Sequence, residues 1–344
     1  MVHTRTMPGL PSTHGAFARA ALSSYGHAPD TPLRLLSLSE NATYLVDIAE
    51  PLVLRVHRPG YHSPQAIRSE LAWMRALRAE TPVVTPGLVG ADDGSDVIAV
   101  SQEGMTLYVD AMSFVPGCTA EEEPGVVGYH KLGELTAHMH DHAQRWPAPQ
   151  DFTRFRWDLD SMFGAQARWG DWRCAPGMTD GDRAAIGAAV DEIIRRLVEF
   201  GSAPDRFGLI HADMRLSNLM VDPGRPGSDI TVIDFDDCGW SWFLADLGAV
   251  VSWVEDTPEA EAAVADWLDG YQRVRTLPEE HRGMIPVFVM LRRIMLTAWI
   301  ASHADAGAAI SVSDGFASRT ARLAERYLGD RTWLQDAAFG RRVG

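Results

Sequence analysis

Hydrophobic and polar positions follow two rhythms along this chain. In the early part, short apolar runs read as strands: 33–38, 43–47, 52–57, 97–102 and 105–110. The first two flank the polar turn Ser39-Glu40-Asn41-Ala42, which predicts a hairpin. Elsewhere apolar residues return every three or four positions, the period of a half-buried helix. Residues 14–25 form a modest helical segment with Phe17, Ala21 and Leu22 on one face. Residues 64–79 are a stronger one: Ser63 and Pro64 make a good start, and Ile67, Leu71, Met74 and Leu77 form a stripe. Helices are also predicted over 126–143, over 180–200 and through most of 258–327. Residues 147–177 are rich in Trp and Phe and read as irregular or as short helices. Residues 1–12 look like a loose arm, and the tail from Arg331 looks peripheral.

With 344 residues the chain has room for two lobes. Hydrophobic residues make up 46% and charged residues 22%, the balance of a soluble globular protein. The formal charge of −15 argues against nucleic acid and anionic membrane as partners, since both reward Lys and Arg. Cys118, Cys174 and Cys238 are an odd, widely spaced set, which suggests a reducing cytoplasm. The start of the chain lacks the apolar core of a secretory leader. The apolar segment 284–300 carries Arg292 and Arg293 at its middle and is read as a buried helix. Lys131 is the only lysine, so a Walker A loop is excluded and any phosphate-gripping cation in the early strands must be arginine.

The chemistry is concentrated between Leu209 and Asp246. His211-Ala212-Asp213 is followed by Asn218. A Pro/Gly turn at 223–228 and Asp234-Phe235-Asp236-Asp237 come next. Phosphoryl transfer needs a carboxylate to orient and deprotonate a hydroxyl, and oxygen ligands for Mg²⁺. His-x-Asp-x-x-x-x-Asn, a hairpin and then Asp-Phe supply these groups in kinase order. On that reading Asp213 is the base, Asn218 and Asp234 hold metal, and His211 braces the loop.

These residues resemble the aminoglycoside phosphotransferase and choline kinase-like branch of the protein-kinase fold, with homoserine-kinase-like features in Val-Leu-Arg-Val-His-Arg and Tyr61-His62-Ser63. His-Ala-Asp is a small-residue variant of that branch's His-Gly-Asp. The resemblance implies an α+β, two-lobed, protein-kinase-like fold. A small antiparallel β-sheet lobe would occupy 1–113, and a hinge with a larger, mainly helical lobe 114–344. It implies ATP or GTP with Mg²⁺. Ser39 and Asn41 would lie over the phosphates. Arg55 would stand where protein kinases carry lysine, paired with Glu70. Backbone groups of Ser113, Phe114 and Val115 would read the base. Asp246 would hold the catalytic loop's backbone, with a simple helix N-cap as its alternative role.

The acceptor is less determined. Asp237, Trp240, Trp242, Glu255 and Asp256 are candidates to shape its pocket and lean toward an amine-bearing antibiotic or an amino-acid or amino-alcohol metabolite. Trp157, Asp158 and Asp160 are further candidates. His138, His140 and His142 do not share one helix face and are read as structural. A protein kinase is a poorer reading, since no Ala-Pro-Glu follows Asp234. Two rivals remain: a kinase-like nucleotide-binding module without catalysis, and a metal-dependent hydrolase that uses the same aspartates.

Overall fold

The computed structural model describes residues 10–38, 41–225, 227, 229–304, 307–330 and 332–339. The chain divides into two compact units. The first comprises Met1–Cys118, Pro147–Arg154 and Met220–Ile233; the second comprises Thr119–Trp146, Phe155–Leu219 and Asp234–Gly344. The division therefore does not follow one cut after residue 113, because two later segments return to the first unit. Side-chain chemistry explains the return of Pro147–Arg154. Thr153 N donates to Ser69 Oγ at 2.9 Å, and Arg154 Nη1 donates to the Ala66 carbonyl at 3.0 Å.

In the first unit, β1 (Leu33–Leu38), β2 (Ala42–Val46), β3 (Leu52–Val56), β4 (Leu88–Val89), β5 (Val97–Gln102) and β6 (Met105–Ser113) form an antiparallel sheet. The order is β1-β2-β3-β6-β4, with β5 also paired to β6. Alternation gives the sheet two chemically distinct faces. Leu52, Leu54 and Val56 pack with Leu107, Val109 and Ala111 against Phe17, Leu22 and Tyr25. The last three come from α1 (Leu10–Ala21) and its 3-10 extension Leu22–Tyr25. The opposite face carries Arg55, in register with Asp110. Helix α2 (Pro64–Glu80) presents Glu70 to that face. Its start is set as its sequence suggests, with Pro64 in the first turn and the Ser63 side chain accepting from Ala66 N at 3.1 Å.

The second unit is mainly helical. Helices α3 (Tyr129–Arg145), α4 (Asp180–Phe200), α5 (Leu244–Val250), α6 (Glu259–Val274), α7 (Ile285–Ser302) and α8 (Phe316–Gly329) surround a small sheet. In that sheet β7 (Phe207–Ile210) pairs antiparallel with β8 (Gly239–Trp242), which also pairs parallel with Phe155–Arg156. Two glycines set the α3–α6 distance. A Cβ on Gly133 would strike the Trp267 carbonyl, and one on Gly270 the His130 carbonyl. Glu279–Ser302 is long and apolar enough to cross a membrane, but 89% of its 18-residue apolar window is buried inside the protein. It forms a core helix, and Arg292 and Arg293 at its middle are paired rather than exposed.

Candidate active site

Strand β7 ends at Ile210, and the chain turns at once through His211, Ala212 and Asp213 into the 3-10 turn Leu216–Asn218. Ala212 makes that turn with φ of 69°, in the left-handed region that costs an L residue about 1–2 kcal/mol. Asp246 holds the strained segment. One of its oxygens accepts from Ala212 N at 2.7 Å and the other from His211 N at 3.2 Å. Asp246 lies within α5, near its first turn, and the helix has no side-chain cap. Its carboxylate serves the loop rather than its own helix. The oxygen that binds His211 N also meets His140 Nε2 at 3.0 Å. A carboxylate only accepts, so His140 carries its proton on Nε2. Nδ1 then accepts from the Tyr271 hydroxyl at 2.9 Å. Burial pushes the pKa of His140 down, against the upward pull of Asp246, and favours this neutral form.

Asp213 is the most heavily engaged carboxylate of the loop. Asn218 Nδ2 donates to its main-chain oxygen at 2.8 Å and to Oδ2 at 3.0 Å. Arg215 Nε reaches both oxygens, at 3.1 and 3.2 Å. Arg292, from the middle of α7, reaches Oδ1 at 2.5 Å. The same guanidinium donates to the Ala212 carbonyl at 3.2 Å and to Ser252 Oγ at 2.9 Å. Burial alone would raise the carboxyl's pKa, but Arg215 and Arg292 outweigh it and hold Asp213 well below the ordinary carboxylate range. His211 sits under this group: its Nδ1 accepts from Asp213 N at 3.4 Å, and its ring packs on Phe235 at 4.5 Å between centroids.

The Phe235 contact carries its neighbour Asp234 toward the loop. Asp234 is exposed, turns with φ of 64°, and adds its charge to those of Asp213 and Glu121 in raising the pKa of Arg215. Asn218 commits its amide nitrogen to Asp213, which leaves its oxygen for a cation. Among the described residues no cluster of three His, Cys, Asp or Glu side chains suits a metal. Two hard oxygens, from Asn218 and Asp234, still fit Mg²⁺, which binds through few protein ligands and keeps water and phosphate oxygens.

In the first unit Arg55 Nη1 donates to Glu70 at 2.6 Å, the pair the resemblance implies. A second acid joins it. Asp110 Oδ2 accepts from Arg55 Nε at 3.2 Å and Nη2 at 3.0 Å, and His57 Nε2 lies 2.5 Å from the same oxygen. Burial disfavours the ionised Asp110, yet Arg55 and His57 together draw its pKa below the usual value. Ser39 lies outside the described residues. Asn41 is buried, and its side-chain oxygen accepts from Arg58 N at 3.3 Å. At the end of β6, Ser113 N donates to the Gly87 carbonyl at 2.7 Å and Phe114 N to the Pro51 carbonyl at 3.1 Å. These two N–H groups are therefore committed within the protein, which leaves the carbonyls of this segment and the Val115 backbone as the groups that could read a base.

The acceptor candidates separate. Trp242 is buried, donates to the Gly201 carbonyl at 2.7 Å and packs edge-on to Phe207. Glu255 is fully buried and bound by Arg293 at 2.8 Å. Asp256 is held by Arg293 and Arg319. This corrects the expectation for Trp242 and Glu255, whose side chains belong to the core, and ties Asp256 into an ion cluster. Asp237 and Trp240 are half-buried. The main-chain oxygen of Asp237 accepts from Trp157 Nε1 and that of Trp240 from Trp157 N, both at 2.8 Å. Trp157, Met162, Trp169 and Met295 wall an apolar pocket that Ala212 and Arg292 also line.

Sequence reasoning missed Arg292, Asp110 and His140. Their signals were present. A charge inside an apolar helix or strand must be paired once buried, but the sequence does not name the partner. Among three neighbouring histidines only the fold shows which one faces Asp246.

A family model described as "Phosphotransferase enzyme family" matches residues 33–277. The solved structure of a microcompartment-associated aminopropanol kinase superposes with a TM-score of 0.86 at 43% identity, covering 91% of this chain and 97% of that one. The amicoumacin kinase hAmiN, solved with AMP-PNP, Ca²⁺ and Ami, superposes with a TM-score of 0.72 at 21% identity, covering 92% and 96%. The amicoumacin kinase of Bacillus subtilis (strain 168) is 24% identical over 289 residues, 80% of this chain and 81% of its own. The fold is the α+β protein-kinase-like one, an antiparallel sheet followed by a mainly helical region. With its family model matched over most of its length, the chain belongs to the phosphotransferase enzyme family.

Proposed function

We propose that the protein transfers the γ-phosphate of ATP or GTP to the hydroxyl of a small amino alcohol. It is a small-molecule kinase, and the choice of acceptor is the step added here. The observation that supports it is 43% identity, across 91% of the chain, with an aminopropanol kinase. Asp237, half-buried on the segment after Phe235, is the carboxylate we favour for the acceptor's ammonium group.

In this reading Asp213 orients the attacking hydroxyl and takes its proton. The acceptor oxygen forms its bond to phosphorus as the bond to the nucleotide's leaving oxygen breaks. Arg215 and Arg292 hold the carboxylate in place, and His211 and Asp246 hold the backbone beneath it. Mg²⁺, carried by Asn218 and Asp234, would neutralise charge on the phosphates. Arg55, kept in one plane by Glu70 and Asp110, is our candidate for the nucleotide's phosphates. We place the reaction in the cytoplasm.

Nucleotide consumption tests this with aminopropanol, homoserine, choline, a neutral diol and a peptide antibiotic as acceptors. The amino alcohol should give the highest kcat/KM, and Asp213→Asn should abolish its turnover while Mg-nucleotide binding persists. Equal turnover of the neutral diol, or turnover of the antibiotic alone, would defeat the amino-alcohol reading. Equal consumption without any acceptor would favour a hydrolase.

A further inference from the structure

We propose that the second unit holds a separate site for a small molecule bearing one carboxylate or phosphate, coupled to the catalytic loop through Tyr271, His140 and Asp246. The site is a cavity of about 160 Å³ beside the chain entering β7 and the chain leaving α6. Phe200, Phe243, Tyr271 and Leu277 form apolar and aromatic walls, and Arg206, Arg275 and the Asp205 carboxylate supply charge. None of the proposed base, metal or nucleotide residues lines it.

The two arginines differ. Arg206 is neutralised: it binds both oxygens of Asp205 at 3.1 Å and Glu280 at 3.0 Å. Arg275 is not. Its Nη2 donates to the main-chain oxygen of Asp205 at 3.0 Å, and its guanidinium lies 4.2 Å from the centre of the Phe243 ring. Its Nη1 is buried with no hydrogen-bond partner among the described residues, and no carboxylate there lies within ion-pairing distance. A half-buried guanidinium with one enclosed nitrogen, which meets a carbonyl, a ring and the Tyr271 hydroxyl but no carboxylate, has its charge uncompensated. An anionic group is the complement its geometry suits, and carboxylates and phosphates match the guanidinium fork. Size limits the rest. A cavity of roughly 150 Å³ accommodates a benzene-sized body, so the ligand is a small acid or phosphate ester rather than a nucleotide.

The link to the loop is continuous. Tyr271 lines the cavity and gives its hydroxyl proton to His140 Nδ1 at 2.9 Å. His140 Nε2 gives its own to Asp246 at 3.0 Å. Asp246 accepts the amides of Ala212 and His211, the residues that present Asp213. The Tyr271 and His140 donors run toward Asp246 and the two loop amides meet it from the other side, so a change at Tyr271 alters the acceptor strength of the carboxylate that holds the loop. Arg275 acts electrostatically on both Tyr271 and His140. Neutralising it with a bound anion changes the field at the head of the relay.

The test uses the full chain with benzoate and phenyl phosphate as probes. Calorimetry should show saturable millimolar or tighter binding, with the preferred probe naming the anionic group. Arg275→Gln should weaken it by about tenfold or more, the loss of a charge-assisted contact. Hydrogen exchange at the His211 and Ala212 amides should change on binding in the wild type. In Tyr271→Phe, binding should persist and the exchange response should vanish. His140→Gln cuts the same relay if that variant does not fold. Neither probe binding, or Arg275→Gln binding as well as wild type, overturns the site. Binding that leaves the loop amides unchanged, or an equal response in Tyr271→Phe, overturns the coupling.

Discussion

Arg292→Met removes the charge and fork of Arg292 while keeping much of its length and apolar contact. Three polar contacts disappear, the ion pair to Asp213 at 2.5 Å and hydrogen bonds to Ser252 at 2.9 Å and the Ala212 carbonyl at 3.2 Å, together with the charge over the Trp169 ring. Breaking a fully buried pair costs about 3–5 kcal/mol, and each neutral hydrogen bond about 0.5–1.5 kcal/mol. The full sum is too large here. Asp213 keeps Arg215 and Asn218, and its side chain is 16% exposed, so water takes part of the load. The expected loss is about 2–4 kcal/mol of stability. Catalysis should suffer separately, because a carboxylate freed from one of its supports no longer meets the hydroxyl squarely. About a hundredfold fall in kcat is the usual scale of such misplacement. Ionisation does not explain that fall. Without Arg292 the pKa of Asp213 moves up, but Arg215 still opposes the effect of burial and favours the ionised carboxylate. Linkage agrees in sign. A depressed carboxyl pKa stabilises the fold above the unfolded value, and the gain is lost as pH falls through the folded one. The variant should therefore show a weaker dependence of stability on pH in the acid range. Chemical denaturation and steady-state kinetics, with Arg292→Lys beside Arg292→Met, measure both effects. Near-wild-type kcat and stability in the Met variant would refute the reasoning, and a kinetic defect confined to acid pH would show that charge alone was at stake.

Other consequences are more direct. Asp234→Ala should make nucleotide binding indifferent to Mg²⁺ in calorimetry; an unchanged metal requirement would remove Asp234 from the metal site. His140 is buried with its pKa lowered by that burial, and the pKa values of His138 and His281 are likewise lowered by theirs. Below about pH 6.5 the unfolded chain takes up protons that the folded one refuses, so stability should drop as pH falls. His140→Gln should reduce that slope, read from denaturation curves between about pH 5 and 7. Gly270→Ala places a methyl group on the His130 carbonyl and should cost about 1–3 kcal/mol by thermal unfolding, whereas Gly329→Ala meets nothing nearby and should cost little.

Local pattern made much of the architecture legible. β1 and α4 have the limits their periodicity suggests, and α2 starts where Ser63 and Pro64 place it. The reason is that a strand's alternation, a helix's stripe and a cap are properties of neighbouring residues. The α1 segment begins earlier than its apolar face implied, at Leu10, and α3 starts at Tyr129 rather than 126. Helix ends depend on what they pack against.

The spacing from His211 to Asp234 and the type of each residue in it were enough to name a phosphoryl-transfer loop, because that chemistry needs a carboxylate base and hard oxygens in a short span. Tertiary structure decided who restrains them. Arg292 lies 79 residues from Asp213 in sequence, and His140 lies 106 from Asp246. Buried charges must find partners wherever folding brings them. The requirement for a partner is written locally, while its identity comes from helices packed across the unit. The same physics drew Glu255 and Trp242 into the core and left Arg275 facing a cavity.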